Sequence, residues 1–232
     1  APELRRSFRL LRFELPGHGD AADWPGPYTI AELGAGVLAL LDSLGVQRAG
    51  YGGISIGGMI GMWLAAAAPE RIAALGLVCT SPYLPPADGW RDRASRVRAA
   101  GMSSISAQVI GRCFTADYAA REPAVIGSVR AMLDQTDPEG YAGCCEAIAE
   151  MDLRAGLAAV SAPTLVIAGE ADPATPPEHG KEIADRVAGA RLRVLPDAAH
   201  LAAISSAPEV TAALLEHFER AAATDENWRA ER

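Results

Sequence analysis

Long apolar runs are missing from this chain. No stretch approaches the roughly 18–20 residues needed to span a bilayer, and the first residues carry no apolar core of a secretory leader. Cysteine is scarce. Cys79, Cys113, Cys144 and Cys145 show neither metal-ligand spacing nor a disulfide framework, which points to free thiols in a reducing cytoplasm and to no bound metal. Positive charge is also in short supply: 21 Lys and Arg against 29 Asp and Glu give a net charge of −8. A chain so acidic is a poor partner for nucleic acid. What remains is 232 residues, half of them hydrophobic, enough for one core and a small-molecule site.

The most informative stretch is Gly53-Ile54-Ser55-Ile56-Gly57-Gly58. It lies between a β-like run, Ala49-Gly50-Tyr51-Gly52, and an apolar helix-like run, Met59 to Ala65. A G-x-S-x-G between strand and helix is the pattern of a nucleophile elbow. A serine thrown outward on so tight a turn has a strained backbone, and side chains on its neighbours would collide with the strand and helix. The helix starts at the elbow, so its first N–H groups point at any anion formed beside Ser55, that of Ile56 foremost.

The partners of such a serine follow later strands, in chain order serine, acid, histidine. Pro163 to Gly169 reads as a buried parallel strand, followed by Glu170-Ala171-Asp172-Pro173. Arg191 to Pro196 reads as another, followed by Asp197-Ala198-Ala199-His200. Ser55, Asp172 and His200 thus all fall past the carboxyl ends of strands, where open α/β sheets build their sites. Glu170 and Asp197 compete with Asp172 for the acid. Among the other histidines, His18 reads as a structural residue of the loop Pro16-Gly17-His18-Gly19. His179 falls in the first turn of a helix opened at Thr175-Pro176-Pro177, and His217 at a solvated or boundary position on the last helix.

With these residues the chain resembles the α/β-hydrolases, and within them it is similar to 3-oxoadipate enol-lactonases. The resemblance is carried by Tyr28 to Leu33, Gly57 to Gly61 with Trp63-Leu64-Ala65, Ala68-Pro69-Glu70-Arg71, and Gly169 to Gly180. It departs at Asp20-Ala21, where relatives have a serine nearby, and at Ala202 to Pro208, where relatives carry an acidic or amide residue. The larger departure is at the start. Ala1 to Arg6 looks like the tail of a helix and Phe8 to Phe13 like a strand, the fourth of the family. Its first three strands, and the loop that supplies the second oxyanion donor, have no counterpart. The expectation is that the natural polypeptide begins earlier, and that these 232 residues alone leave a gap in the sheet.

The fold expected is therefore α/β: a mostly parallel sheet of α/β-hydrolase type with helices on both faces and a helical cap inserted between strands, the N-terminal strands absent. Strands alternate with helices elsewhere. Thr29 to Glu32 resembles a capping box, with Ile30, Leu33, Val37, Leu40, Leu41 and Leu44 on one face and Gly45 as the stop. Between Cys79 and Thr164 the alternation gives way to short helices, including Ala124–Leu133 and Glu139–Met151. The expected division is core over 1–81, cap over 82–159, core over 160–220 and a tail or linker over 221–232. The cap holds Arg91, Arg93, Arg96, Arg98, Arg112, Arg121 and Arg130. An anionic substrate would need one of them turned inward, for instance Arg130.

The resemblance implies a cofactor-free serine hydrolase of a small γ-lactone bearing a carboxylate, converting 3-oxoadipate enol-lactone to 3-oxoadipate in the degradation of aromatic compounds such as protocatechuate and catechol. Ser55 would attack, His200 would take its proton, and Asp172 would fix the imidazole. A carboxylesterase or perhydrolase of the same fold, and a non-catalytic binding module or domain of a fusion protein, remain alternatives.

Overall fold

The structure is a computed structural model and describes residues 2–21, 26–226 and 228. Four strands, β1 (Ala49–Ile54), β2 (Ile72–Val78), β3 (Thr164–Gly169) and β4 (Arg191–Leu195), form one parallel sheet in the order β1-β2-β3-β4. Parallel neighbours need crossovers. One is α3 (Ile56–Ala67), between β1 and β2; another is α9 (Pro177–Arg186), between β3 and β4. β2 and β3 are buried at every position, as continuous apolar strands with both faces covered must be.

On one face, Leu75, Leu77 and Val166 pack against α3, α9 and α2 (Ile30–Ser43). On the other, Leu165 and Ile167 meet Val210 and Ala213 of α11 (Ala207–Thr224). Gly76 permits that approach: a Cβ there would lie 2.6 Å from a Leu214 methyl. α2 begins with the expected capping box, Thr29 Oγ1 accepting from the Glu32 N–H at 3.1 Å and Glu32 Oε2 from the Thr29 N–H at 2.8 Å. It ends before Gly45, whose φ of +67° turns the chain away. Ile30, Leu33, Val37 and Leu41 are buried, but Leu44 lies just beyond the last turn and is exposed.

At both ends the structure differs from expectation. The described residues before Ala49 hold no strand, and Phe8 to Phe13 runs without a ladder. The segment is held by side chains instead. After a one-turn helix, α1 (Leu4–Ser7), the Phe8 ring stacks on Trp228 at 5.6 Å and meets Phe218 edge-on, and Ser7 Oγ donates to Glu219 at 2.7 Å. Ala1, at the start of the expected helix, lies outside the described residues. The expected tail from 221 is anchored to the core through Ala221, Ala222 and Trp228, while Ala223, Thr224 and Glu226 stay exposed. α11 runs to Thr224, Ala221 and Ala222 are buried against Ala73 and Ala74, and the Trp228 ring fills the hollow over Gly50. Residues 227 and 229–232 lie outside the described set.

The long connection carries α4 (Ala87–Ala100), α5 (Ser103–Cys113), α6 (Ala116–Arg121), α7 (Pro123–Gln135) and α8 (Pro138–Glu150). The two helices expected here are α7 and α8. Asp137 caps α8, its carboxylate accepting from the Gly140 N–H at 2.8 Å. α8 is the cap's inner layer, with Gly143, Cys144, Ala147 and Ile148 buried, whereas α7 buries no residue. Arg91 and Arg98 of α4 pair with Glu150, Glu139 and Glu146 of α8. Among the described residues no helix is long and apolar enough to cross a membrane.

His217 is not at the surface. It is buried on the sheet side of α11, with Nε2 donating to the Leu75 carbonyl at 3.1 Å and Nδ1 facing the Arg191 guanidinium at 3.5 Å. Burial first, and then the charge of Arg191, hold its pKa below the ordinary histidine value, with Arg220 acting in the same direction and the carbonyls of Leu75 and Pro163 against it. A folded-state pKa below the unfolded one means that the unfolded chain binds more protons in that window. His217 therefore supports the fold fully above about pH 6.5, and that support is lost as pH falls through the lowered value. We expect thermal stability to drop between about pH 7 and pH 5, and His217→Gln to flatten part of that slope while lowering stability at pH 8. An unchanged slope in scanning calorimetry would assign the acid sensitivity elsewhere.

Candidate active site

The elbow forms where β1 ends. Ser55 has φ 52° and ψ −121°, a left-handed backbone that a non-glycine residue holds only under restraint. The restraints are visible. Its N–H bonds the Val78 carbonyl at 3.0 Å, continuing the β1–β2 ladder, and its own carbonyl accepts from Thr80 Oγ1 at 2.7 Å and the Met59 N–H at 3.1 Å. The glycines have separate reasons. A Cβ on Gly53 would overlap the Gly57 carbonyl, and one on Gly58 would lie 2.7 Å from Thr80. Gly57 meets nothing within 4 Å, so the expected collision does not apply to it. Its carbonyl accepts from Tyr51 Oη at 2.9 Å.

The three residues expected from three strand ends come together. His200 Nε2 lies 3.0 Å from Ser55 Oγ, and its Nδ1 lies 2.9 Å from Asp172 Oδ2. Asp172 is 3% exposed. Burial raises its pKa, but the His200 hydrogen bond and charge, with the N–H and hydroxyl of Thr175, outweigh it and hold the carboxyl below the usual range. Oδ1 accepts from the N–H groups of Ala174 and Thr175 at 2.8 and 3.0 Å; Oδ2 also accepts from Thr175 Oγ1 at 2.7 Å. Glu170 and Asp197, the competing acids, are exposed, and neither bonds His200. Thr175 was not foreseen as part of the site. Its signal was its place three residues after the acid, where a short side chain turns back on the carboxylate.

Ser55, Ile56 and His200 line a cavity of about 750 Å³ roofed by the cap. Trp90, Val109, Val129 and Ile148 supply apolar wall. The cap arginines sort into three groups. Arg91 and Arg98 are tied to α8. Arg121 and Arg130 are exposed and do not line the cavity, so Arg130 is not the inward residue. Arg93, Arg96 and Arg112 do line it. Arg93 is half-buried, its guanidinium 4.7 Å from the Trp90 ring centre. His18 also lines the cavity, although its loop context suggested a structural residue. His179 stays on α9, away from the cavity, its Nδ1 buried without a partner among the described residues.

All four cysteines are buried thiols. Burial, and then the charge of Asp172, push Cys79 up to about 12 and Cys113 to about 11. Burial raises Cys144 and Cys145 to about 12; the Cys145 thiol adds to the rise at Cys144, while at Cys145 the charge of Arg93 works against burial. None carries appreciable thiolate at neutral pH, so Ser55 has no rival nucleophile among them.

A parallel sheet with a serine elbow, acid and histidine on its carboxyl edge, and helices inserted above, defines a hydrolase-type fold. The chain belongs to the alpha/beta hydrolase family, whose model matches residues 1–214. It is 38% identical to 3-oxoadipate enol-lactonase 2 of Acinetobacter baylyi, over 83% of this chain and 72% of that one. Among solved structures it is similar to the enol-lactonase from Burkholderia xenovorans LB400, at TM-score 0.92 and 39% identity over 94% of this chain and 84% of that one. A hydrolase from Pseudomonas aeruginosa PA01 matches at TM-score 0.90 and 44% identity, over 94% and 82%.

The glycine geometry gives a direct test. Gly53→Ala should destabilise the fold by about 1–3 kcal/mol, the usual cost of overpacking. Gly57→Ala, in open space on a helix, should be neutral or stabilising by up to about 1 kcal/mol. Urea titrations of both variants would show it, and equal losses would remove the distinction.

Proposed function

We propose that this protein is a serine hydrolase that opens a small carboxylated lactone, with 3-oxoadipate enol-lactone as its substrate. The observation that carries the reading is the hydrogen-bonded line Ser55–His200–Asp172 on a cavity that also presents Arg93, Arg96 and Arg112. Its likeness to the enol-lactonases of Acinetobacter baylyi and Burkholderia xenovorans LB400 supports the substrate class. In this reading residues 82–159 act as the cap and 1–81 with 160–220 as the catalytic core.

His200 Nε2 takes the proton of Ser55 as Oγ attacks the lactone carbonyl. Asp172 holds the Nδ1–H tautomer and stabilises the imidazolium. The oxyanion forms at the start of α3, where the Ile56 N–H and the helix dipole favour negative charge. His200 then returns the proton to the leaving enol oxygen, and later activates the water that releases the acid. Arg93 is the strongest candidate for holding the substrate carboxylate. Like Arg112 it is half-buried and pairs with no carboxylate among the described residues, and it is in addition steadied against the Trp90 ring on the cavity wall.

Ser55→Ala or His200→Ala should each lower kcat by on the order of 10³-fold or more, and the double variant should be little worse than either. Near-normal turnover by Ser55→Ala would end the covalent mechanism. A fluorophosphonate probe should label the wild type and not Ser55→Ala. No labelling of either would favour a binding module.

Specificity has its own test. Arg93→Leu should cost about 2–5 kcal/mol in kcat/KM for the carboxylated lactone, the range for breaking a desolvated charge pair. Neutral aryl acetates should be much less affected. Equal effects on both substrates for Arg93, Arg96 and Arg112 in turn would remove the anionic pocket and favour a general carboxylesterase.

A further inference from the structure

His18 is the second imidazole on the cavity wall, and the mechanism above does not use it. Its loop is firmly placed. The His18 N–H donates to the Leu15 carbonyl at 2.9 Å, its own carbonyl accepts from the Ala21 N–H at 3.1 Å, and the Asp20 N–H closes the base on Glu14 at 2.8 Å. Gly17, at φ +69°, seats against α8: a Cβ there would lie 2.6 Å from the Gly140 Cα, and its carbonyl accepts from the Asp137 N–H at 3.2 Å. The ring itself is oriented by Nδ1, which lies 2.9 Å from the Pro16 carbonyl.

A carbonyl can only accept, so Nδ1 carries the hydrogen of this bond. The neutral ring then offers Nε2 as a bare lone pair. No described residue donates to it. Such an atom repels a carboxylate or a lactone carbonyl, both of which are acceptors. It matches a hydroxyl. The intact enol-lactone has none, but ring opening makes one, the enol O–H of the leaving group. That group stays tethered to the acyl-enzyme and can attack the acyl carbon again to reclose the ring. His200 is committed to Ser55 at 3.0 Å and must activate water for deacylation.

We propose that His18 is a second catalytic residue, which converts the freed enol to its ketone and so prevents ring closure; the proposal rests on the lactonase reading above. The enol O–H bond breaks and the proton passes to His18 Nε2. The oxygen becomes the ketone as the C=C electron pair takes a proton from the same imidazolium, at the former alkene carbon. One proton leaves oxygen and one arrives at carbon, either the same one or one exchanged with solvent. No electrons are gained or lost.

The test is turnover of the carboxylated enol-lactone in D₂O, read early by NMR with chiral analysis of the former alkene carbon. The wild type should place deuterium on one face. His18→Leu should label both faces equally and lose about tenfold in kcat for the lactone. Its hydrolysis of aryl acetates should stay within about twofold of wild type, with an unchanged melting temperature. One-faced labelling by His18→Leu, or two-faced labelling by the wild type, would overturn the proposal. So would equal losses on lactone and aryl acetate, which would mean that His18 only shapes the site. His18→Gln keeps an acceptor but cannot carry the proton, and one-faced labelling by this variant would also overturn it. A wild type that hydrolyses aryl acetates but leaves the lactone intact would instead bring down the substrate assignment itself, and this proposal with it.

Discussion

The backbone of Ser55 is the constraint on which the rest of the site depends. A left-handed non-glycine residue costs on the order of 1–3 kcal/mol and persists only when its surroundings over-determine it. Here they do. The β1–β2 ladder takes the Ser55 N–H, Thr80 takes its carbonyl, and Gly53 and Gly58 let strand and helix close to a distance that no side chain would allow. That turn fixes both the direction of Oγ and the start of α3. Loosening β2 would release Thr80 and the Val78 carbonyl together, so the burial of β2 serves the elbow as well as the core.

Electrostatics impose the second requirement. A carboxylate almost without solvent would ordinarily be driven toward its neutral form. Asp172 keeps its charge because four groups converge on its two oxygens: the N–H groups of Ala174 and Thr175, the Thr175 hydroxyl and the His200 ring, with the imidazole's charge adding to its hydrogen bond. Burial, and then the same charge, pushes the nearby Cys79 and Cys113 thiols upward. One buried anion thus orients the histidine beside the serine and adds to the burial that keeps the Cys79 and Cys113 thiols protonated.

Much of this was legible in the sequence because it is written locally. G-x-S-x-G between a strand and a helix, and short apolar runs followed by Asp172 or His200, carry their geometry within a few residues. What failed depends on distant partners. Phe8 to Phe13 has the composition of a strand, but a strand exists through a ladder, and here Phe8 packs on Trp228 and Phe218 and Phe13 on Tyr51 instead. Arg130 and Arg93 look alike in sequence; which helix turns its arginine inward depends on how the cap packs. The burial of His217, by contrast, is written locally. Val210, His217 and Ala221 recur at helical spacing, and that periodicity already placed the histidine on the buried stripe.

The cap's attachment explains why a loop residue such as His18 reaches the site at all. Two glycines on α8 remove the side chains that would hold the cap off the core: at Gly140 the backbone of Gly17 comes in, and at Gly143 a Cβ would overlap the Tyr28 ring. The Pro16–Gly19 loop is therefore clamped between core and cap, with His18 on the cavity wall shared by both. α7 has no comparable anchor, since it buries no residue, yet Val129 and Leu133 line the same cavity. The cavity thus has a firm inner wall, made by α8 and the His18 loop, and a weakly held outer wall on α7. Stability is lowest where buried apolar contacts are fewest. Any opening that admits substrate should then proceed through α7, leaving the elbow, the acid and both imidazoles in place.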